Sequence, residues 1–163
     1  MAKVTYNFDL SEFLEKKGAK GKKREIKKAV GDFLVSAVID DMNNSTSSVT
    51  GRKFRKLDKE YVKDKLKKGG SSNPDLELFG NLKESIEFKQ KSDSVEVGVF
   101  GGVNALKAET HNLGTQKDRG VPQRQFLPIG SEEGNKGQFR PQIRKEIVKI
   151  IEEIIGDDKV QDN

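Results

Sequence analysis

The stretch Ile86-Glu-Phe-Lys-Gln-Lys-Ser-Asp-Ser-Val-Glu-Val-Gly-Val99 decides the fold. Ile86 and Phe88 alternate with Glu87 and Lys89, and Val95, Val97 and Val99 alternate with Glu96 and Gly98. Successive side chains of a strand point to opposite faces, so this period of two gathers each apolar set on one side. Lys91-Ser92-Asp93 is short enough to turn the chain back on itself, which predicts an antiparallel β-hairpin with one buried face. A lone hairpin is marginal in water, so helices must cover that face or further strands must extend the sheet. Arg124 to Ile129 is the expected extra strand.

Two apolar stripes supply the cover. Ile26, Val30, Phe33, Leu34, Ala37, Val38 and Met42 recur at spacings of three and four within 24–42, as do Phe139, Ile143, Ile147, Ile150, Ile151 and Ile154 near the C-terminus. Each predicts a helix with one face on the core. The first stops at Asn43-Asn-Ser-Thr-Ser-Ser48, whose short polar side chains compete for backbone hydrogen bonds, and the second at Gly156. A shorter helix is predicted over 58–68, with Asp58 as its cap and Leu57, Tyr61, Val62 and Leu66 as an apolar strip. Gly69-Gly-Ser-Ser-Asn-Pro74 breaks it as a mobile link, and together with the 44–53 loop it suggests a long insertion able to reach a neighbour.

The fold class is therefore α+β: an antiparallel β-sheet with a central hairpin packed against a long N-terminal helix and a C-terminal helix, with a long insertion loop. A chain of 163 residues makes one domain. Within 1–163 the expected parts are an N-terminal basic arm (1–23), an α+β core (24–155) with its insertion around 44–80, and an acidic disordered tail (156–163).

Charged residues make up 35% of the chain and hydrophobic ones 33%, a polar balance that suggests surface meant to be covered by neighbours. There is no cysteine and a single histidine, which excludes disulfides, thiolate sites, cysteine nucleophiles and multi-histidine metal sites. No run approaches the ~20 apolar residues of a membrane helix, and Met1 to Leu10 lacks a signal peptide's apolar centre, so the expectation is a soluble chain without a cleavable leader.

The net charge is +5, and Lys16 to Lys28 concentrates eight lysines and arginines against Glu25 alone. Such a run is either a solvated linker or a polyanion contact through Lys16, Lys17, Lys20, Lys22, Lys23 and Arg24. No aromatic residue interleaves it for base stacking.

His111 follows a helix-compatible run, Ala105 to Thr110, and precedes Gly114, a residue that accepts the left-handed conformation ending many helices. For catalysis it would need a nucleophile to activate or a carboxylate to orient it, and Glu109, two residues away, points elsewhere on a helix. Gly98-Val-Phe-Gly-Gly102 lacks the Lys-Ser/Thr of a phosphate loop. Glu146, Glu152 and Glu153 lie among lysines and arginines on a polar face. The chain thus reads as a non-enzyme without cofactor or metal. Arg124, flanked by Pro122, Phe126 and Pro128, projects from a stiffened segment where its planar fork can pin a carboxylate or a carbonyl, on this chain or the next.

Five blocks in order carry a resemblance: Gly51, Leu57, Tyr61 and Lys65; Leu76 to Ile86, with Gly80, Leu82 and Ser85; Val95-Glu-Val-Gly98; Ala108 to Gly114, with His111; and Val121 to Leu127, with Pro122, Arg124, Phe126 and Leu127. Over this half of the chain the sequence resembles the bacteriophage tail-completion, or virion-morphogenesis, proteins that join head to tail. Phe79, Lys107, Asn112 and Gln125 stand where that pattern has threonine, tyrosine, glutamate and a second proline. The resemblance implies a structural protein of the virion, made in the host cytoplasm. It would form a ring, commonly of six copies, in the neck at the head-proximal end of the tail. The implied partners are further copies, the connector or stopper, the tail terminator, the tail tube and DNA in the channel. The alternative is a small basic nucleic-acid-binding protein that uses the 16–24 cluster.

Overall fold

The structure, a computed structural model, describes residues 3–74, 81–115, 122–129 and 138–156. Gly80 and the acidic tail after Gly156 lie outside the described residues.

The hairpin forms where the alternation places it. Strand β2 (Glu87–Gln90) pairs antiparallel with β3 (Ser94–Val99), setting Phe88 opposite Val97, and Lys91 N–H donates to Ser94 O at 2.9 Å across the turn. The third strand is β1 (Val4–Asp9) and not Arg124–Ile129; the sheet order is β1-β3-β2. The physical reason is in the two sequences. Val4, Tyr6 and Phe8 alternate with Thr5, Asn7 and Asp9, whereas 124–129 contains Pro128, which cannot donate to a ladder.

Paired residues of an antiparallel sheet share a face, so Tyr6, Val97 and Phe88 point the same way, with Val4, Phe8, Val95 and Val99 beside them. Because β3 is central, all six of its residues are buried, on both faces and not on one. Glu96 tolerates this because Lys3 Nζ (2.7 Å), Thr5 Oγ1 (2.6 Å) and Lys91 Nζ (3.1 Å) surround its carboxylate. These partners hold its pKa down to about 2.

Residues 3–23 are not a loose arm. After β1 come the short helix α1 (Ser11–Leu14) and a tight turn at Lys17–Ala19, and Leu10, Leu14 and Ala19 are all buried. Helix α2 (Lys23–Asn43) then lays Ile26, Val30, Leu34, Val38 and Met42 on the sheet, each with no exposure. Burying such side chains contributes about 1.5–3 kcal/mol apiece. Gly31 lets the Phe88 ring pack directly on the helix backbone, since a Cβ there would collide with it. Ile143, Ile147 and Ile151 of α6 (Pro141–Gly156) complete the layer, and Phe139 meets Tyr6 edge-on at 5.3 Å.

Helix α2 ends where expected: the Asn44 side chain donates to Asp40 O at 2.9 Å, and Ser45 turns left-handed with φ 52°. The 44–53 loop is a folded turn. Ser47 Oγ accepts Val49 N–H and Thr50 N–H, Thr46 bridges Lys53, and Val49 and Phe54 are buried. Helix α3 (Lys59–Lys67) starts at Asp58, whose carboxylate accepts Glu60 N–H at 2.9 Å. Its predicted apolar strip does not face the core. Tyr61 and Leu66 are 49% and 52% exposed, while Lys65 is buried with Nζ on Asn73 O at 2.8 Å. Leu82 is buried in α4 (Asn81–Glu84), where its carbonyl accepts Ser85 Oγ at 2.6 Å. Helix α5 (Gly102–Leu113) follows β3.

Candidate functional site

The densest polar cluster joins the end of α5 to the segment 122–129. Ala105, Ala108 and Asn112 fall at i, i+3 and i+7 on the buried side of α5, so the stripe that carries two alanines ends in an amide. Asn112 Oδ1 accepts Phe126 N–H (3.0 Å) and Leu127 N–H (2.8 Å), and its Nδ2 donates to Ile129 O at 3.1 Å. Its own carbonyl accepts Gln123 Nε2 at 3.0 Å. One side chain therefore satisfies three backbone groups of an extended segment that no strand pairs, as burial demands.

Gly114 ends α5 with φ 72°, and a Cβ there would lie 2.8 Å from Gln123 N. Glycine is required twice over, by the left-handed backbone and by the returning chain. Pro122 is half-buried, while Phe126 and Leu127 are wholly inside the core.

Arg124 is buried against the same helix end. Its N–H donates to His111 O at 2.7 Å, and Nε and Nη2 both reach Arg55 O at a long 3.4 Å. No carboxylate stands within 4 Å of it among the described residues, and burial pushes its pKa down. His111 Nδ1 is buried without a hydrogen-bond partner. Burial first, then the Arg124 and Lys107 charges, lower the His111 pKa to about 4, so the imidazole is neutral at pH 7. It helps build the wall behind Arg124, and the polar network runs through its neighbour Asn112.

A second tie links α2 to α6. Arg140 grips Asp41 through Nη2 (2.7 Å) and Nε (3.2 Å), and Arg140 N–H donates to Ser48 O at 2.9 Å. Gly51, in the left-handed region at φ 73°, lies beside the Arg140 side chain.

The structure divides the 16–28 cluster. Lys16 Nζ sits 5.1 Å from the Phe13 ring centre, Lys22 Nζ caps α6 at Ile154 O (2.6 Å), Lys27 binds the hairpin turn at Lys91 O (2.8 Å), and Lys28 pairs with Asp32 (2.6 Å). Lys17, Lys20, Lys23 and Arg24 remain exposed. Among the described residues no group of three His, Asp or Glu is placed to hold a metal, and no helix is long and apolar enough to cross a membrane.

Sequence reasoning picked out His111, Gly114, Pro122, Arg124, Phe126 and Leu127, and the structure brings these together. Tyr61 and Arg55 border the group through Arg124, whereas Leu82 and Ser85 belong to the turn entering β2. Sequence reasoning missed Asn112 as the clamp. The available signal was an asparagine on the same helical stripe as Ala105 and Ala108.

Fold and site together define a small α+β protein whose best-built polar cluster holds backbone in place. The chain belongs to the phage virion morphogenesis family, whose match spans residues 9–155, and it is a phage structural or assembly protein. No curated protein and no solved structure matches it.

Proposed function

We propose that this protein is a head–tail joining subunit, a tail-completion component that forms a closed ring of identical copies in the virion neck and works without catalysis. The observation that carries this reading is the inverted packing of α5. The helix turns Ala105 and Ala108 inward and presents Val103, Leu106 and Leu113 to solvent at 68%, 55% and 41% exposure. A helix that buries its small residues and exposes its large ones has a second face to cover. Leu66 of α3 is a separate exposed apolar side chain, 52% accessible. Two different surfaces suit a heterologous contact, which closes into a ring when the rotation between copies divides a circle. The Asn112 clamp fixes the end of α5, so a copy meets its neighbours with little ordering cost there. Six copies, with a connector or stopper on one side and a tail terminator or tube on the other, are what the resemblance implies.

The test is direct. Light scattering and negative-stain images of the pure protein should show closed rings at raised concentration, and mass spectrometry of purified particles should detect the chain at a fixed low copy number. Absence from particles that still package and join normally would overturn the reading.

A further inference from the structure

The sequence places its strongest basic run at 16–28, but the folded protein offers a better-built surface elsewhere. Residues 52–68 carry nine lysines and arginines against three acids. Two of those acids are engaged, Asp58 as the cap of α3 and Asp64 with Lys68 at 2.9 Å. The side chains of Arg52, Arg55, Lys56, Lys59, Lys63 and Lys67 have no hydrogen-bond or ion-pair partner among the described residues, and all six residues are exposed. By contrast, Lys16, Lys22, Lys27 and Lys28 are committed to Phe13, Ile154 O, Lys91 O and Asp32.

Shape adds to charge. A cleft of about 120 Å³ is lined by Ser47, Thr50, Arg52, Lys53, Arg55 and Gln123, among others, and no acid lines it among the described residues. Its wall is stiff, because Ser47 Oγ holds the turn at Val49 and Thr50, and Lys53 Nζ is fixed on Asn44 O at 2.6 Å. Arg124 feels both Arg55 and Tyr61, so the cleft and the first turn of α3 are neighbours. Beyond the cleft, Lys59 and Lys63, one turn apart on α3 and both exposed, continue the positive surface.

We infer that this cleft and the exposed face of α3 bind the phosphate backbone of nucleic acid, with Arg52 and Arg55 seating one phosphate and Lys56, Lys59 and Lys63 meeting the next ones. A planar guanidinium pair matches an oxyanion, and a row of unpaired lysines suits a repeating polyanion better than a single carboxylate. The surface is sequence-blind, since it offers charge with no element shaped to enter a groove. It does not depend on ring formation.

The experiment uses the full chain and a labelled mixed-sequence duplex of about 30 base pairs, with anisotropy read between 50 and 300 mM salt. Arg52→Ala/Arg55→Ala should weaken binding at least tenfold at 100 mM salt and reduce the salt slope by about 2. Lys56→Ala/Lys59→Ala/Lys63→Ala, on the exposed side of α3, should do the same and stands in if the first variant melts early. Lys20→Ala/Lys23→Ala/Arg24→Ala should change affinity less than threefold. The reverse ranking, or no binding by the unaltered protein at 50 mM salt, would overturn the inference. So would displacement of the duplex by polyglutamate at equal charge, which would point to an acidic protein partner. Light scattering on the same samples separates the two readings: rings without duplex binding defeat only this one, and duplex binding without rings defeats only the other.

Discussion

The amide oxygen of Asn112 accepts the backbone N–H groups of both Phe126 and Leu127, at 3.0 and 2.8 Å, from inside the protein. A helix end therefore does for segment 122–129 what a neighbouring strand does for β1. Asn112→Ala leaves those two donors unmet, while Ile129 O keeps Gln125 Nε2 at 3.2 Å, and an unsatisfied buried group costs about 1–3 kcal/mol. The expected loss is roughly 3 kcal/mol in all, or about 6–12 °C in melting temperature for a chain of this size. Asn112→Asp keeps the acceptor but loses the donor to Ile129 O, so it should fall between wild type and alanine at pH 5. Calorimetry of the three proteins decides it, and an Asn112→Ala melt within 2 °C of wild type would show that the segment does not need the clamp.

Much of this fold is legible in sequence wherever one period runs long enough to be counted. The alternation at Val95, Val97 and Val99 and most of the α2 and α6 stripes are buried as their spacing selects, with Phe33, Ala37, Ile150 and Ile154 half-buried at the margins. Val4, Tyr6 and Phe8 carry the same period-two signal, yet the lysine-rich run that follows made the whole N-terminal stretch read as solvated arm. Charge density hid a strand. Segment 124–129 misleads for the opposite reason: Phe126 and Leu127 are buried as strongly as any strand residue, but their N–H groups are taken by a side chain. The clamp and the Arg140–Asp41 tie join residues 14 to 99 positions apart, and no local period reports such partners.

Asp41 and Arg140 join the last turn of α2 to the start of α6 with two hydrogen bonds, and Asp41 is almost wholly buried. Removing one partner strands the other, so Arg140→Ala should destabilise by about 3 kcal/mol. Replacing both with apolar residues, Asp41→Leu/Arg140→Met, should restore most of that loss, because no buried charge is left behind. Chemical denaturation of the single and double variants gives the coupling energy. A double variant as weak as the sum of the singles would mean that the pair acts through packing alone.

The buried imidazole of His111 makes stability depend on pH. Its folded pKa, about 4, lies below the ordinary 6.5, so the unfolded chain binds a proton in that window and the folded chain does not. The contribution is complete above pH 6.5 and is lost as pH falls towards 4, amounting to roughly 2–3 kcal/mol at the lower end. Glu96 acts in a lower window, where its pKa of about 2 gives stability that is present above pH 4.5 and lost as pH falls towards 2. Melting curves from pH 7 to pH 4 should therefore flatten for His111→Gln and keep their slope for Glu96→Gln. Equal slopes in wild type and His111→Gln would place the titration elsewhere.

The outward face of α5 separates folding from assembly. Val103, Leu106 and Leu113 are exposed and Ala105 and Ala108 are buried, so changing the first set to serine removes little that the monomer uses, while changing the second set overpacks the core. Val103→Ser/Leu106→Ser/Leu113→Ser should melt within about 6 °C of wild type, since exposed substitutions usually stay within ±0.5 kcal/mol each. The same protein should fail to form rings and fail to restore joined particles in a complementation assay, because a contact surface loses its apolar centre. Leu66→Ser on α3 tests the opposing surface: if the contact is heterologous, mixing it with the α5 variant leaves a single intact pair of surfaces and gives open heterodimers. Full ring formation by the triple serine variant would show that copies meet through some other face, and α5 would then owe its exposed leucines to a partner outside the ring.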